Sequence, residues 1–181
     1  MTLFIYLVVY IFIIFTKTIV FTKEIIINHD NFYNLKNIIN ASQNDGEIVL
    51  KFVENYYNMT YLNFDTEITV LSNISFIGND NGTIFDYNNK RRGALNFKFV
   101  DTGEKIKYLN FHNIIYENLM EKDVSFYGIN VITIQTYTDK VSININNCTF
   151  RNNHGNTFQL ISKCMKTTYE NPSIVFNNCT F

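Results

Sequence analysis

The chain has 181 residues, enough for one domain, and its formal net charge at pH 7 is −1, from 15 Lys and Arg against 16 Asp and Glu. This balance excludes a strongly basic surface for nucleic acid, and we expect no nucleic-acid partner. The 17 Phe and 12 Tyr residues supply ample apolar material for a core, which excludes a disordered chain.

The chain begins with an apolar segment. An unbroken apolar run covers residues 3–15, and a shorter one covers residues 19–21. The first run has the length of a signal-peptide core, about 7–15 residues, and is shorter than the about 20 that a membrane span needs. We predict a signal peptide over residues 1–22 and a secreted or extracellular protein. The alternative is an uncleaved signal anchor that holds the protein on a membrane.

One segment has helical periodicity. In residues 31–41 the apolar side chains of Phe32, Leu35, Ile38 and Ile39 recur at the spacing of one helix face. Either Asp30 or Asn31 precedes this run as a candidate N-cap residue. The pattern predicts a helix over residues 31–41.

Alternating patterns dominate the rest of the chain. Apolar and polar residues alternate with the period of a β-strand, between clusters of Gly, Asn and Asp, in residues 47–52, 83–87, 94–100, 127–137 and 158–161. The sequence therefore predicts a protein built mainly from short strands.

A short motif repeats within the chain. The Asn-Cys-Thr-Phe of residues 147–150 recurs at residues 178–181, each copy preceded by two alternating apolar residues. Looser copies begin at Asn73 and Asn113. Alternation breaks once, at the Asn of each copy, and Asn tolerates the left-handed backbone of a tight bend. The repeats predict about four coils of three strands over residues 28–181, with an Asn at one corner of each coil.

The order of these elements resembles a known fold family. A helix, a Gly-containing turn, a strand and the copy at residues 73–78 resemble the start of pectin-lyase-like right-handed parallel β-helix proteins, in which a short helix caps the N-terminal end. The repeats resemble those of secreted Asn-rich β-helix surface proteins of AT-rich lower eukaryotes, and Phe150 to Asn153 is similar to the Phe-x-x-Asn element of polymorphic outer-membrane repeat proteins. This resemblance implies an all-β, right-handed parallel β-helix solenoid with an N-terminal capping helix. A leucine-rich-repeat solenoid is the alternative, but its repeats of about 20–29 residues are shorter than those here.

Asn residues have two predicted roles. Sequons for N-glycosylation begin at six positions, namely Asn40, Asn58, Asn73, Asn81, Asn147 and Asn178. We expect Asn73, Asn147 and Asn178 to stack with Asn113 as a structural ladder at the bend, which engages their amides. Glycosylation is then predicted at Asn58 and Asn81, which lie in loops, and at Asn40, near the end of the helix.

The cysteines leave two arrangements open. Cys148 and Cys179 occupy the same position in successive repeats, whereas Cys164 has no counterpart. Neighbouring strands are about 4.8 Å apart, which is within disulfide range, but stacked side chains run parallel rather than toward each other. We expect buried thiols, with a disulfide between Cys148 and Cys179 as the alternative.

Catalytic and metal-binding motifs are weak in this sequence. His154 with Gly155 is an isolated pair, the Gly- and Asn-rich residues 78–82 read as a turn rather than a calcium loop, and residues 90–92 read as a basic loop rather than a processing site. We expect no metal and no cofactor. The tyrosines of residues 56–61, Tyr56, Tyr57 and Tyr61, are candidate platforms for sugar rings.

These observations favour a secreted or cell-surface repeat protein that acts in adhesion, matrix contact or glycan binding without catalysis. Its expected partner is an extracellular polysaccharide or a cell-surface ligand. The alternative is a polysaccharide lyase or glycoside hydrolase whose catalytic coils lie beyond residue 181. Because the last repeat ends without a cap, we also expect the β-helix to be incomplete, or to stack end to end with another copy.

Overall fold

A computed structural model describes residues 21–43, 46–100, 103, 105–120, 130–163 and 173–181. The predicted signal peptide up to residue 20, Cys164 and the first residues of the predicted 127–137 strand lie outside these ranges. Among the helices that are described, none combines the length and the apolar character needed to cross a bilayer.

Fourteen strands make up most of the described chain. They are β1 (Thr22–Ile27), β2 (Glu47–Phe52), β3 (Tyr56–Asn58), β4 (Asp65–Val70), β5 (Ile74–Ile77), β6 (Thr83–Lys90), β7 (Ala94–Phe99), β8 (Lys107–His112), β9 (Ile114–Leu119), β10 (Asn130–Thr136), β11 (Val141–Asn146), β12 (Thr149–Arg151), β13 (Asn156–Ser162) and β14 (Ser173–Asn177). All five strands predicted from alternation are present, the first with the predicted bounds and the other four with different ends.

The strands form three parallel sheets. Sheet 1 has the order β1-β2-β5-β8-β11-β14, sheet 2 contains β3, β6, β9 and β12, and sheet 3 contains β4, β7, β10 and β13. Strands β1 and β2 pair in parallel within sheet 1. From β2 onward, successive strands belong to successive sheets, and every third strand pairs in parallel with the one before it in its sheet. The chain is an all-β parallel β-helix of about four turns, consistent with the right-handed form. The leucine-rich-repeat alternative is wrong, because strands rather than helices connect the strands of sheet 1.

Inward side chains of successive coils stack into columns that fill the solenoid. One column in sheet 1 contains Leu50, Phe76, Phe111 and Ile145, all fully buried. In a second column the rings of Tyr116 and Phe150 are 4.9 Å apart and nearly parallel. Each buried ring contributes about 1.5–3 kcal/mol through removal from water, so the core stabilises the coils without disulfides.

The capping helix is present but is divided in two. Helix α1 (His29–Phe32) begins after Asn28, whose Oδ1 accepts hydrogen bonds from the backbone N–H groups of Asp30 and Asn31. The predicted N-cap, Asp30 or Asn31, is therefore wrong. Asn31 instead completes a capping box by accepting a bond from the Asn28 N–H at 3.0 Å.

Helix α2 (Leu35–Ser42) follows after a break at residues 33 and 34. Phe32 from α1 packs its ring against Tyr57, 4.8 Å away, and Leu35 and Ile39 of α2 are fully buried. Two short helices thus cover the first coil where one continuous helix was predicted.

The register corrects one predicted repeat. Ile74 pairs with Leu109 and Phe76 with Phe111, so Asn73 does not occupy the position of Asn113. Instead Gly78 occupies the corner position that Asn113 occupies in the next coil, since Ile77 pairs with His112. The prediction that Asn73 belongs to the same column as Asn113 is wrong, because the apolar pattern around it fits two corners of the coil equally well.

Candidate functional site

A cleft lies where the capping helices meet the first coil. It has a volume of about 320 Å³ and is lined by five aromatic rings and one amide, from His29, Phe32, Tyr56, Tyr57, Asn58 and Tyr61. This volume is at the lower end of the about 300–1,000 Å³ of ligand pockets, which are mostly apolar with a few polar groups. The cleft therefore has the size and lining to hold a small ring-shaped ligand.

Strand β3 and a 3₁₀ helix (Met59–Tyr61) position the polar groups of the cleft. Along β3, Tyr56 and Asn58 point outward and Tyr57 points inward, because side chains alternate on a strand. The Nε2 of His29 donates to the Tyr56 carbonyl oxygen at 2.8 Å, which joins helix α1 to β3. The cleft therefore depends on a contact between segments 27 residues apart in sequence.

Two of the three predicted tyrosine platforms are exposed. Tyr61 is 69% exposed and Tyr56 is 40% exposed, and both line the cleft. Tyr57 is fully buried, so the expectation that it is exposed is wrong. Its hydroxyl donates to the Ile27 carbonyl oxygen at 2.5 Å and accepts from the Glu54 N–H at 3.2 Å. Tyr57 thus supports the cleft from below.

The Tyr56 side chain is fixed by a carboxylate on the next coil. Its hydroxyl donates to Asp86 Oδ2 at 3.0 Å. Partial burial, together with this bond to the Asp86 carboxylate, raises the pKa of Tyr56 above its ordinary value. Tyr56 therefore remains a neutral donor at physiological pH, and its ring is held at the cleft wall.

Carboxylates near the cleft are already engaged. Asp86 Oδ1 accepts from the Asn88 N–H at 2.7 Å and from the Asn118 amide at 2.9 Å. Glu117, which pairs with Asp86 in the register of sheet 2, accepts from Arg151 Nε at 2.6 Å. Both acidic groups thus hold neighbouring coils together.

Asn58, a predicted glycosylation site, lies in the cleft wall. Its Oδ1 accepts from the backbone N–H of Thr60 at 3.0 Å and from the Thr60 hydroxyl at 2.7 Å. Asn58 thus begins the 3₁₀ helix as its N-cap residue. Among the described residues no partner binds its Nδ2, so the nitrogen that a glycan would modify has no competing hydrogen bond.

The other two predicted glycosylation sites lie away from the cleft. Asn81 is exposed in the turn between β5 and β6, where the Gly82 N–H donates to the Asn79 carbonyl at 3.0 Å. Asn40 is exposed near the end of α2. Neither is brought together with Asn58.

Three of the four predicted ladder residues occupy one corner, between sheets 1 and 2. Asn113, Asn147 and Asn178 all have left-handed backbone, with φ of 57°, 51° and 52°. Asn178 Nδ2 donates to Asn147 Oδ1 at 2.8 Å, which brings these two amides together. Asn73 lies at another corner, where its Oδ1 accepts from the Tyr108 N–H at 3.1 Å.

A second polar ladder lies on the outward face of sheet 1, and the repeats did not predict it. Asn144 Nδ2 donates to Asn110 Oδ1 at 2.9 Å, and Asn110 Nδ2 donates to Ser75 Oγ at 3.0 Å. The three residues pair across β5, β8 and β11. The sequence feature that could have indicated this ladder is the polar residue that stands between two buried apolar residues in each of the three strands.

Asn153 also connects coils. Its Oδ1 accepts from the Leu119 N–H at 2.9 Å, and its Nδ2 donates to the Tyr116 carbonyl at 3.0 Å. It is the Asn of the Phe-x-x-Asn element noted in the sequence, and here it satisfies backbone groups of β9, the sheet 2 strand of the preceding coil.

Both described cysteines are free thiols. Cys148 is fully buried, and its thiol donates to the Asn146 carbonyl at 3.3 Å. Cys179 is partly buried, and its thiol donates to the Ile145 carbonyl at 3.2 Å. Burial raises the pKa of Cys148 to about 12. The disulfide alternative is absent from this structure.

We expect the two thiols to differ in reactivity. In native protein at pH 8, iodoacetamide should label Cys179 at least about tenfold faster than Cys148, because thiolate is the reacting form and Cys148 is buried. Peptide mass spectrometry over a time course measures both rates, and labelling in denaturant is the control in which they should converge. Equal rates in the native protein would contradict the buried position of Cys148.

The remaining candidate motifs have structural contacts. The His154 N–H donates to the Leu119 carbonyl at 2.8 Å. Arg92 Nε donates to the Leu62 carbonyl at 2.8 Å, and the Arg91 guanidinium lies 5.8 Å from the centre of the Phe64 ring. Within the described ranges, no group of three or more His, Cys, Asp or Glu side chains is placed to hold a metal ion.

Comparison of the chain with protein-family models, with curated proteins and with solved structures gave no match. The functional argument therefore rests on the sequence, the fold and the cleft.

Proposed function

We propose that the chain is a secreted or cell-surface parallel β-helix protein that binds a neutral glycan in the aromatic cleft without cleaving it. The observation that carries this proposal is the pair of exposed rings, Tyr56 and Tyr61, at one cleft of about 320 Å³. Its pectin-lyase-like and Asn-rich surface-protein character, and its secretion, are part of the same proposal and are supported by the sequence features described above.

Chemical complementarity supports a sugar as the ligand. A pyranose with mostly equatorial hydroxyl groups presents an apolar C–H face and a polar rim. Tyrosine has the matching character, an apolar ring with a hydroxyl at its tip. Tyr61 supplies an exposed ring, and His29 and Asn58 add polar groups at the edge of the cleft.

Charge favours a neutral sugar over an acidic one. The carboxylate bound to Tyr56 is that of Asp86, and Glu117 lies beside it in the next coil. Arg151 offsets Glu117, so the charge that disfavours an acidic sugar is that of Asp86, and with a net charge of −1 the chain has no excess of positive charge. We therefore favour β-linked glucose or N-acetylglucosamine oligomers over galacturonate oligomers.

A glycoside hydrolase is the second candidate, because Asp86 and Glu117 are directly paired carboxylates on adjacent strands. Retaining hydrolases use two carboxylates about 5–5.5 Å apart. However, Asp86 accepts three hydrogen bonds and Glu117 is paired with Arg151. Groups engaged in this way are poorly available for proton transfer or nucleophilic attack, which supports binding rather than catalysis.

Calorimetry with the full chain, produced in a host that adds no N-linked glycans, tests the proposal. We expect the protein to bind chitotetraose or cellotetraose and to prefer both over tetragalacturonate. Tyr61→Ala should weaken binding at least about tenfold, equivalent to 1.4 kcal/mol, because it removes an exposed ring from the cleft.

Tyr33→Ala is the matched control, since Tyr33 is 68% exposed, lies close to the cleft in sequence and does not line it. Its affinity should equal that of the wild type. Equal affinities for Tyr61→Ala and Tyr33→Ala would remove the cleft as the binding site. New reducing ends in the oligosaccharide, formed by wild type and lost in Asp86→Asn, would establish the hydrolase instead.

A further inference from the structure

We infer that the protein's own N-linked glycan, attached at Asn58, binds in the aromatic cleft and blocks the binding of external sugars there. The inference rests on the proposed function for its secretory compartment and for the sugar-binding character of the cleft. It goes further in naming an occupant and a modification that controls access.

Position is the first argument. Asn58 is the only one of the six sequon asparagines that lines the described cleft. It follows Tyr56 by two residues on β3, so the two side chains leave the same outward face of the strand about 7 Å apart. A sugar attached to Asn58 is therefore delivered beside the Tyr56 ring without crossing the strand.

Orientation of the amide is the second argument. Thr60 fixes Asn58 Oδ1 through two hydrogen bonds, 3.0 Å from its N–H and 2.7 Å from its hydroxyl. This leaves Nδ2 as the atom of the amide turned away from the 3₁₀ helix. The Tyr56 ring is itself held by Asp86, so the first sugar meets a wall that is already ordered.

The modification replaces one hydrogen of Asn58 Nδ2. The nitrogen bonds to the anomeric carbon of the first sugar, the bond from that carbon to a polyprenyl pyrophosphate donor breaks, and the pyrophosphate leaves with the bonding electrons. The displaced proton passes to solvent. The donor is the lipid-linked oligosaccharide of the secretory pathway.

The attached sugar and a soluble oligosaccharide compete for the cleft, and their local concentrations decide which of them is bound. A sugar tethered at the cleft wall has an effective concentration on the order of millimolar, as for short flexible linkers. A soluble oligosaccharide with weak affinity cannot compete with it. The glycosylated protein should thus bind external sugar poorly, and removal of the Asn58 glycan should open the cleft.

The test compares three forms of the full chain: wild type from a secretory host with N-linked glycans, Thr60→Val from the same host, and wild type from a host without N-glycosylation. Thr60→Val removes the sequon at Asn58 but keeps the Asn58 side chain and the bond to it from the backbone N–H of residue 60. Glycans on the first form are trimmed to a single N-acetylglucosamine. Site-resolved mass spectrometry measures occupancy at Asn58, NMR measures the shifts of the sugar protons, and calorimetry measures affinity for chitotetraose.

We expect Asn58 to be occupied, its sugar protons to be shifted upfield by the Tyr rings, and affinity for chitotetraose to be at least about tenfold lower than in either other form. Tyr61→Ala in the glycosylated chain should reduce the shifts, and Tyr33→Ala should not. The non-glycosylated wild type keeps the result interpretable if Thr60→Val fails to fold.

An unoccupied Asn58, or an occupied Asn58 whose sugar protons show no ring-current shift, would overturn the inference. Equal affinity of the glycosylated and non-glycosylated forms would overturn the closure of the cleft. If the non-glycosylated chain binds no external sugar while the Asn58 sugar shows the shifts, the proposed function fails and the assignment of the cleft to the protein's own glycan stands.

Discussion

Gly93→Ala is expected to lower the free energy of unfolding by about 2–6 kcal/mol, and to abolish the proposed sugar binding in the cleft. Gly93 has φ of +91°, which side chains rarely adopt. A Cβ there would overlap the Met59 carbonyl oxygen and lie 2.7 Å from its carbonyl carbon. Backbone strain and overpacking each cost about 1–3 kcal/mol. Because the displaced backbone begins the 3₁₀ helix that carries Tyr61, the cleft should be lost together with stability.

Two other glycines separate the effect of the steric clash from the effect of backbone strain. At Gly78 an added Cβ would overlap the Asn113 carbonyl oxygen of the next coil without requiring a left-handed backbone, so Gly78→Ala tests the steric clash alone. At Gly103, with φ of +128°, no atom of the described residues lies within 4 Å of an added Cβ, so Gly103→Ala tests strain alone.

Urea unfolding of the three variants should rank the losses as Gly93, then Gly78, then Gly103, with about 1–3 kcal/mol for the last. A loss for Gly93→Ala no larger than that for Gly103→Ala would mean that the coils separate more easily than their close contact implies.

The alternation of apolar and polar side chains made the strands of the solenoid predictable from sequence. The same alternation left the register between the coils undetermined. Alternation identified the strands because inward residues such as Phe97 and Ile143 are fully buried while their neighbours face outward. Alternation does not say which sheet a strand belongs to. Asn73 was placed at the wrong corner for this reason, since Ile74 and Phe76 alternate in the same way as the residues that follow Asn113.

The cleft was predictable only in part. Tyr56 and Tyr61 were recognisable as candidate sugar platforms by residue type. The sequence could not distinguish them from Tyr57, whose side chain points inward on β3. His29 was not predicted as a cleft residue. Its position depends on Asn28 ending β1 and starting helix α1, and on the bond from His29 to the Tyr56 carbonyl, a contact that no local pattern encodes.

Replacing a buried tyrosine by phenylalanine is expected to change the free energy of unfolding in opposite directions at two sites, according to whether the hydroxyl has a hydrogen-bond partner. Tyr57→Phe should destabilise the protein by about 1–3 kcal/mol, because it removes the buried bond to the Ile27 carbonyl and leaves the part-buried Glu54 N–H without the Tyr57 oxygen that accepts from it. Tyr116→Phe should stabilise it by about 1 kcal/mol. The Tyr116 hydroxyl is fully buried, and within the described chain it has no hydrogen-bond partner, so its removal relieves a desolvation cost.

The pH dependence of unfolding gives the Tyr116 prediction a second readout. Burial, the largest cause, raises the pKa of Tyr116 well above its ordinary value of about 10. As pH rises past about 10, the unfolded chain loses this proton while the folded chain keeps it, so stability is full below that pH and declines above it. Tyr116→Phe removes this contribution, so its advantage over wild type should widen between pH 9 and about pH 11, measured by urea unfolding at each pH.

Tyr87→Phe is the matched variant, because the Tyr87 hydroxyl is also fully buried and without a partner in the described residues. A destabilising effect of both substitutions at neutral pH would show that these hydroxyls are hydrogen-bonded in solution, and the interior of the solenoid would then be more polar than its packed rings imply.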